Sequence, residues 1–271
     1  MKRFIFPLIL FSCLFSACAT NPYASSNKSY RKQARELIKP LKELPLQQSY
    51  AGKDPQTAVG TVNFNLRKPN YVIIHHTAQK ACEQTLKAFT LQRTQVSAHY
   101  VICKDGTVHH MLNDYLRAWH AGAARWGSLT DVNSASVGIE LDNNGNEPFP
   151  EEQINSLLVL LQQLKTNYNI PAGNFIGHAD IAPGRKPDPN AFFPWKRLAD
   201  TGFGYWPDLL LDSVPAGFNS VHALRMIGYD TRDSVAAIKA FKLHFIQTDL
   251  SPVLTDSNKA VLNNLIRKYN Q

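Results

Sequence analysis

Short apolar runs bounded by turn-forming residues predict the strands of this chain. Residues 71–75, 99–103, 107–112 and 136–141 are rich in Val, Ile, Tyr and Leu, which is typical of β-strands. Residues 104–106 read Lys-Asp-Gly between the second and third runs, and an Asp-Gly pair favours a tight hairpin turn.

Two segments between and after these runs have helical periodicity. Residues 83–95 and 151–168 repeat apolar residues at helical spacing, and Pro150 with two glutamates marks the start of the second. Strands mixed with helices, without strict alternation, predict an α/β fold in which helices flank a mixed central β-sheet. The apolar face of the second helix is expected to comprise Ile154, Leu157, Leu158, Leu161 and Leu164.

The character of the chain changes after Pro194-Trp195. Glycines and prolines punctuate the following connector, and residues 220–227, 232–246 and 256–269 predict three amphipathic helices. We therefore expect a larger domain over residues 51–205 and a small three-helix domain over residues 211–271.

The start of the chain has the pattern of an export signal. Two basic residues precede the apolar run 4–15, which is too short to span a bilayer stably. The following Ser16-Ala17-Cys18 resembles the cleavage site of bacterial lipoproteins, so residues 1–17 are predicted to be a lipoprotein signal peptide and Cys18 a lipidation site. Simple secretion and an uncleaved anchor are the alternatives.

Residues 18–50 and the net charge bear on where the protein is located and what it binds. By resemblance to Gram-negative lipoproteins, Ala19 in place of Asp favours an outer-membrane anchor facing the periplasm. Residues 18–50 are polar and basic and are predicted to be a tether that cannot fold alone. The formal net charge is +8, but export argues against nucleic acid. Anionic envelope polymers, a lipid surface or a merely solvated basic surface remain open.

Cys82 and Cys103 remain after Cys13 leaves with the signal and Cys18 takes lipid. An even number of cysteines in an oxidising compartment permits a disulfide. Spacing cannot establish its geometry, so two buried free thiols are equally compatible with the sequence.

Residues 178–188 concentrate chemically active side chains. They read H-A-D-I-A-P-G-R-K-P-D, and two prolines and a glycine prevent a regular helix. The strand at 71–75 ends in a histidine pair. A catalytic zinc needs three protein ligands and an open position, and His75, His178 and Asp188 could supply the ligands.

Five motifs occur in an order that resembles a known family. They are I-I-H-H-T at 73–77, V-S-A-H-Y-V-I at 96–102, A-W-H-A-G at 118–122, S-V-G-I-E-L at 136–141 and G-H-A-D-I-A-P-G-R-K-P-D-P at 177–189. Together they resemble the zinc-dependent N-acetylmuramoyl-L-alanine amidases, which share the peptidoglycan recognition protein fold. The resemblance implies that fold for this chain and one zinc ion per chain on the three ligands named above, with His75 rather than His76 as the first.

The resemblance also implies catalytic roles. Glu140, in an otherwise apolar strand, corresponds to the general base, and Lys186 to the donor that stabilises the oxyanion. Trp119 and His120 suit a wall of the substrate groove, although a core tryptophan beside a satisfied histidine fits the sequence nearly as well. Members of the family often have Asp-Pro-Gly where this chain has Asp-Pro-Asn, with Asn190 in the last position; asparagine can still adopt the left-handed turn that glycine favours, so zinc binding is expected to be kept even if the loop differs in shape.

The implied function is hydrolysis of the amide between N-acetylmuramic acid and L-alanine in peptidoglycan or muropeptides, by a monomer attached to the membrane through Cys18. One alternative is a non-catalytic peptidoglycan-binding protein of the same fold, and another is a zinc amide hydrolase acting on exported peptides. The C-terminal helices weakly resemble a peptidoglycan-binding domain. Simple packing of these helices against the catalytic domain is equally open.

Overall fold

The structure is a computed structural model that describes residues 21–42 and 61–270. The predicted signal peptide, Cys18 and parts of the predicted tether and catalytic domain lie outside the described residues. The chain divides into two compact units, residues 1–64 and 65–271. Within the described ranges, no helix combines the length and apolar character needed to cross a membrane.

The first unit contains an α-helix that the sequence analysis did not predict. Helix α1, Ala24–Ile38, lies within the predicted tether and has no buried residue. It is followed by a 3-10 turn, Lys39–Lys42, in which Pro40 has no amide hydrogen to continue the helix. The absence of buried residues agrees with the polar composition of the segment, since local propensity alone supports the helix.

The second unit is built on the predicted mixed sheet. Its strand order is β3-β2-β4-β1-β5, with β2 and β3 antiparallel and the other neighbours parallel. The sheet confirms the predicted fold class. The strands are β1 Tyr71–His76, β2 Tyr100–Ile102, β3 Val108–His110, β4 Ser136–Leu141 and β5 Phe175–Gly177.

The helices of this unit reproduce most of the predicted segments. Three of them, α3, α6 and α8, have the predicted bounds, whereas α4, α5 and strand β5 were not predicted. The helices are α2 Cys82–Phe89, α3 Glu151–Tyr168, α4 His178–Ile181, α5 Trp195–Asp200, α6 Ser220–Ile227, α7 Ser234–Phe245 and α8 Asp256–Tyr269.

Helix α2 is shorter than the predicted helix over residues 83–95, which is wrong in its second half. The chain leaves the helix after Phe89 and forms a short 3-10 turn at Gln92–Thr94. Thr94 Oγ1 donates to the carbonyls of Ala88 and Leu91 at 2.8 and 2.7 Å. A threonine hydroxyl that bonds to nearby carbonyls competes with the helical hydrogen bonds, so the helix ends here.

Two hydrophobic cores cover the two faces of the sheet. On one face, Val72 and Ile74 pack with the apolar side of α3. On the other, Ile73 and Ile176 pack with residues of α6, α7 and α8. The C-terminal helices therefore share a core with the sheet, in one compact unit. The domain boundary near residue 210 stays a prediction from the sequence. Among the described residues, the C-terminal helices pack in the same hydrophobic core as one face of the sheet.

A disulfide joins Cys82, the first residue of α2, to Cys103, which directly follows β2. The sequence left this pairing open. The bond fixes the start of α2 to the sheet, and α2 contributes Thr85, Ala88 and Phe89 to the cavity described next.

Candidate active site

Adjacent parallel strands bring the first two site residues together. His75 of β1 is directly paired with Glu140 of β4. Paired residues of parallel strands project to the same face of a sheet, so the imidazole and the carboxyl group emerge side by side at the ends of the strands. Ligands commonly bind at this carboxyl edge of parallel strands.

The next strand supplies the other two potential ligands. His178 begins α4 immediately after β5, which pairs with β1. The chain then forms a loop, and the amide of Ala179 donates to the carbonyl of Asp188 at 2.7 Å. This hydrogen bond closes the loop, so that Asp188 lies beside His178.

Three potential donor atoms converge in this way. His75 Nδ1 and His178 Nδ1 are 2.8 Å apart. Asp188 Oδ2 lies 3.2 Å from the first nitrogen and 3.0 Å from the second. All three residues are buried and form a group able to hold a metal ion.

Hydrogen bonds behind His75 determine which of its nitrogens carries the proton. Ser136 Oγ donates to the carbonyl of Val132 at 2.6 Å, so it accepts from His120 Nε2 at 3.2 Å. His120 Nδ1 is then an acceptor for His75 Nε2 at 3.1 Å. Burial lowers the pKa of His120 well below its usual range, which keeps the ring neutral. His75 Nδ1 is left with a free lone pair facing the cluster.

His178 has the same arrangement. Its Nε2 donates to the carbonyl of Ala121 at 3.1 Å, which leaves Nδ1 with the lone pair. Two lone pairs and a carboxylate thus face one another across hydrogen-bonding distances. Such a set of acceptors suits a cation, which all three atoms could contact at once. Two neutral imidazoles and a carboxylate are the donor set of many catalytic zinc sites, so these residues fit a zinc ion.

The electrostatics of the cluster agree with this donor set. Burial and the neighbouring His178 lower the pKa of His75 to about 4, so the ring is neutral at neutral pH. Burial alone would raise the pKa of Asp188, but the two imidazoles beside it outweigh burial and hold that pKa well below its usual range. The aspartate is therefore ionised.

The pKa of Glu140 shifts in the direction opposite to that of Asp188. Burial, together with the charge of Asp188, raises the pKa of Glu140 to about 8, although Lys186 opposes the shift. Within the described part of the chain, its Oε2 atom is buried without a hydrogen-bond partner. A carboxyl group with a pKa near neutrality and an unpartnered oxygen is suited to accept and release a proton.

A cavity of about 360 Å³ is lined by every catalytic, metal-ligand and substrate-contact residue predicted from the sequence. Lys186 lies on its wall, and the side chain of Trp119 is 48% exposed, so that one aromatic face is open to a ligand. The predicted residues that line it are His75, Trp119, His120, Glu140, His178, Lys186 and Asp188.

His120 also has a role that the sequence did not indicate. The residue is only 8% exposed and its ring contacts His75 through the hydrogen bond described above. Gly138 makes room for it, since an added Cβ would lie 2.4 Å from the His120 ring. A direct substrate contact by His120 stays a prediction, whereas its contact with His75 is part of the fold.

Asn190 does not use the left-handed conformation that the sequence left open to it. Among the described residues, those with a positive φ include Asn169 but not Asn190. The peptide between Asp188 and Pro189 is cis, and Asn190 Nδ2 donates to Asn143 Oδ1 at 3.2 Å. The asparagine is thus held by its side chain, which glycine does not have.

Sequence reasoning missed several residues that hold the cluster in place. Asn133 Oδ1 accepts from the amides of His120 and Ala121 at 3.1 and 2.9 Å. Arg185 Nη2 donates at 2.6 Å to the Ala121 carbonyl that also accepts from His178. The position of Arg185 beside Lys186 was a usable signal. Asn133 and Ser136 had none, because their roles depend on contacts between distant segments.

The mixed sheet, the donor cluster and the partly buried Glu140 together indicate a hydrolase with a metal-type site. Comparison with known proteins specifies the family. A sequence model of the N-acetylmuramoyl-L-alanine amidase family matches residues 65–191. The N-acetylmuramoyl-L-alanine amidase AmiD of Escherichia coli is 31% identical over 232 residues, which cover 74% of this chain and 83% of AmiD.

Other relatives agree. The 1,6-anhydro-N-acetylmuramyl-L-alanine amidase AmpD of Haemophilus influenzae is 35% identical over 108 residues, or 40% of this chain and 59% of that protein. The crystal structure of AmpDh3 from Pseudomonas aeruginosa has a TM-score of 0.70 at 26% identity, covering 81% of this chain and 99% of AmpDh3. This chain belongs to the N-acetylmuramoyl-L-alanine amidase family. It is an enzyme that hydrolyses the amide between N-acetylmuramic acid and the L-alanine of the stem peptide.

Proposed function

We propose that this amidase acts with one zinc ion held by His75, His178 and Asp188. The observation that carries the proposal is the convergence of two imidazole lone pairs and an ionised carboxylate beside a partly buried glutamate whose Oε2 atom is buried without a hydrogen-bond partner. A non-catalytic binding protein would have no use for a carboxyl group with one oxygen atom buried and unpartnered, because burying a polar atom without a partner costs stability. The catalytic alternative is therefore favoured.

Glu140 is the proposed proton carrier. Bound zinc would supply Lewis-acid chemistry, polarising the substrate carbonyl and lowering the pKa of water. Glu140 takes a proton from the attacking water and returns it to the nitrogen of the leaving L-alanine. Without a metal, burial raises the pKa of Glu140 to about 8; a cation bound among the neighbouring ligands would lower that pKa toward the range in which the carboxylate accepts a proton.

Lys186 and Trp119 are the proposed contacts to the substrate. The ammonium group of Lys186 stabilises the negative charge that develops on the carbonyl oxygen during attack. The open face of Trp119 packs against the sugar or peptide. His120 holds His75 in the tautomer that presents Nδ1, and its predicted contact with substrate is retained as part of the proposal.

The proposed substrates are peptidoglycan and its muropeptides. E. coli AmiD has been solved with anhydro-N-acetylmuramic acid-L-Ala-D-γ-Glu-L-Lys, and that structure has a TM-score of 0.68 and 28% identity to this chain. AmpDh3 has been solved with an anhydromuramic pentapeptide. These complexes support a muropeptide substrate for this chain.

The proposed location is the outer membrane, with a monomeric protein anchored by lipid on Cys18 and facing the periplasm. The support comes from the sequence: an apolar run and Ser16-Ala17-Cys18 precede a polar segment. The Cys18→Ala variant should leave the membrane fraction for the soluble periplasmic fraction. A variant that still sediments with outer membranes would remove the proposed anchor.

The activity is tested by digesting purified sacculi and a defined muropeptide and weighing the fragments. We expect free stem peptides that begin with L-alanine. The Glu140→Gln variant should keep its zinc and lose about two to four orders of magnitude in turnover, because the amide cannot accept the proton. A zinc-loaded Glu140→Gln protein with full activity would show that another group is the base.

A further inference from the structure

A buried carboxylate outside the donor cluster connects the metal-type loop to the C-terminal helices. Asp180, two residues after His178, is 1% exposed. Its Oδ2 atom accepts from the Gly177 amide at 2.7 Å and from His244 Nδ1 at 2.7 Å. Its Oδ1 atom accepts from the Tyr229 hydroxyl at 2.7 Å. Three donors therefore fix this side chain, and two of them come from the C-terminal region.

The two C-terminal donors are themselves held rigidly. His244 lies on α7, and its ring stacks on Trp195 with centroids 3.8 Å apart and an interplanar angle of 16°. Tyr229 lies just after α6 and packs edge-on against Trp126 at 5.1 Å. Stacked and buried rings have little freedom to move, so the donors reach Asp180 in a fixed geometry.

The region around α7 contacts the same loop at two further points. An added Cβ at Gly184 would lie 3.0 Å from the Cβ of Ala236, so helix and loop pack closely. Gln247 Nε2, just after α7, donates to the carbonyl of Phe193 at 2.7 Å. The segment that carries His178 and Asp188 is thus held near its beginning, in its middle and just past its end.

We propose that Tyr229 and His244 are positioning residues for the amidase site. Through Asp180 they fix α4, and with it the position of His178 relative to His75 and Asp188. The C-terminal helices then affect catalysis through Asp180, in addition to whatever they contribute at the cell wall. This inference rests on the proposed zinc function, because its effect is exerted through zinc ligands. Groups that orient metal ligands from behind commonly tune metal affinity.

The test uses Tyr229→Phe and His244→Phe in the full chain. Each substitution keeps an aromatic ring for packing and removes the group that donates to Asp180. We expect each to weaken zinc binding about 10- to 100-fold in competition with a chelator and to lower kcat by a similar factor. KM for a defined muropeptide should change little, since neither residue lines the cavity.

Two further variants separate positioning from general stability. His244→Asn retains a donor near the position of Nδ1 and should recover part of the zinc affinity lost in His244→Phe. Lys242→Met is the matched control on α7: the buried Lys242 bonds Asp249 and, at 3.1 and 2.7 Å, Ser251 Oγ and the Val253 carbonyl. None of these partners is Asp180. The control should lower the melting temperature and leave zinc affinity unchanged.

The result that overturns the inference is zinc affinity and kcat within about twofold of wild type for both folded phenylalanine variants. Equal weakening by Lys242→Met would also overturn it, since general loosening would then explain the loss. A wild-type chain that binds no zinc would remove the proposed function and this inference together. Normal wild-type binding with unchanged variants removes the inference alone.

Discussion

The two faces of the sheet bury different chemistry. Toward α3, Val72 and Ile74 of β1 meet a core of leucines, isoleucines and aromatic rings. Toward the C-terminal helices, the same strand presents Ile73 and, by alternation, His75. That second face also buries His120, His178 and Asp180.

The difference concerns what each face requires. An apolar core gains stability from burial alone and has no need for specific partners. A buried imidazole or carboxylate is costly unless it is hydrogen-bonded, so the second face depends on donors and acceptors from several elements. The face toward α3 therefore mainly contributes stability, whereas the face toward the C-terminal helices contributes stability and also carries the active-site residues. Three predictions test this division.

The largest effect is expected at the donor cluster. His75→Ala, His178→Ala and Asp188→Ala each remove one of three ligands, so each should abolish stoichiometric zinc binding and lower turnover by at least about 10³-fold. Metal content by mass spectrometry, measured beside turnover on a defined muropeptide, checks this. His222→Ala removes an exposed histidine and should change neither quantity. A ligand variant that is both zinc-loaded and active would exclude that residue from the cluster.

A large-to-small substitution in the core on the α3 side of the sheet should lower stability without lowering activity. Leu161 is fully buried in the α3 core, and Leu161→Ala should cost about 2–5 kcal/mol in the free energy of unfolding, because it leaves a cavity. Zinc affinity and kcat should stay unchanged at temperatures where the variant is folded. Denaturant unfolding and chelator competition measure the two properties. Loss of zinc affinity in the folded variant would contradict the division between faces.

The smallest effect concerns the pH dependence of stability. Glu140 has a pKa of about 8 in the fold against an ordinary value of 4.5, so the folded state holds its proton more tightly. Its contribution to stability is complete below pH 4.5 and is lost as the pH rises through 8. In metal-free protein, Glu140→Gln should therefore become more stable relative to wild type as the pH rises over this range.

Melting temperatures across that range, in the presence of a chelator, provide the measurement. About 1 kcal/mol corresponds to a shift of roughly 2–4 °C for a unit of this size. Glu152→Gln changes an exposed carboxyl group near the start of α3 and is the control. Parallel pH curves for wild type and Glu140→Gln would rule out a destabilising buried carboxyl group.

The sequence by itself determined the elements whose signals are local. Helices α3, α6 and α8 have the bounds that their periodicity predicted, and most of the sheet followed from apolar runs. The resemblance carried by five motifs led to His75, Glu140, His178, Lys186 and Asp188, and all of them line one cavity. Strand β5 was missed because only Phe175 and Ile176 of its three residues are large and apolar, which is too short a run for a strand pattern to be recognised.

Only the tertiary structure showed which groups hold these residues in position. The partners of the distal ring nitrogens, the disulfide of Cys82 with Cys103 and the contacts of Asp180 with Tyr229 and His244 all join segments that are distant in sequence. The sequence also left open whether the C-terminal helices pack on the sheet. These features depend on which surfaces meet when the chain folds, and that information is carried by packing and hydrogen-bond satisfaction across the whole unit, which no local pattern records.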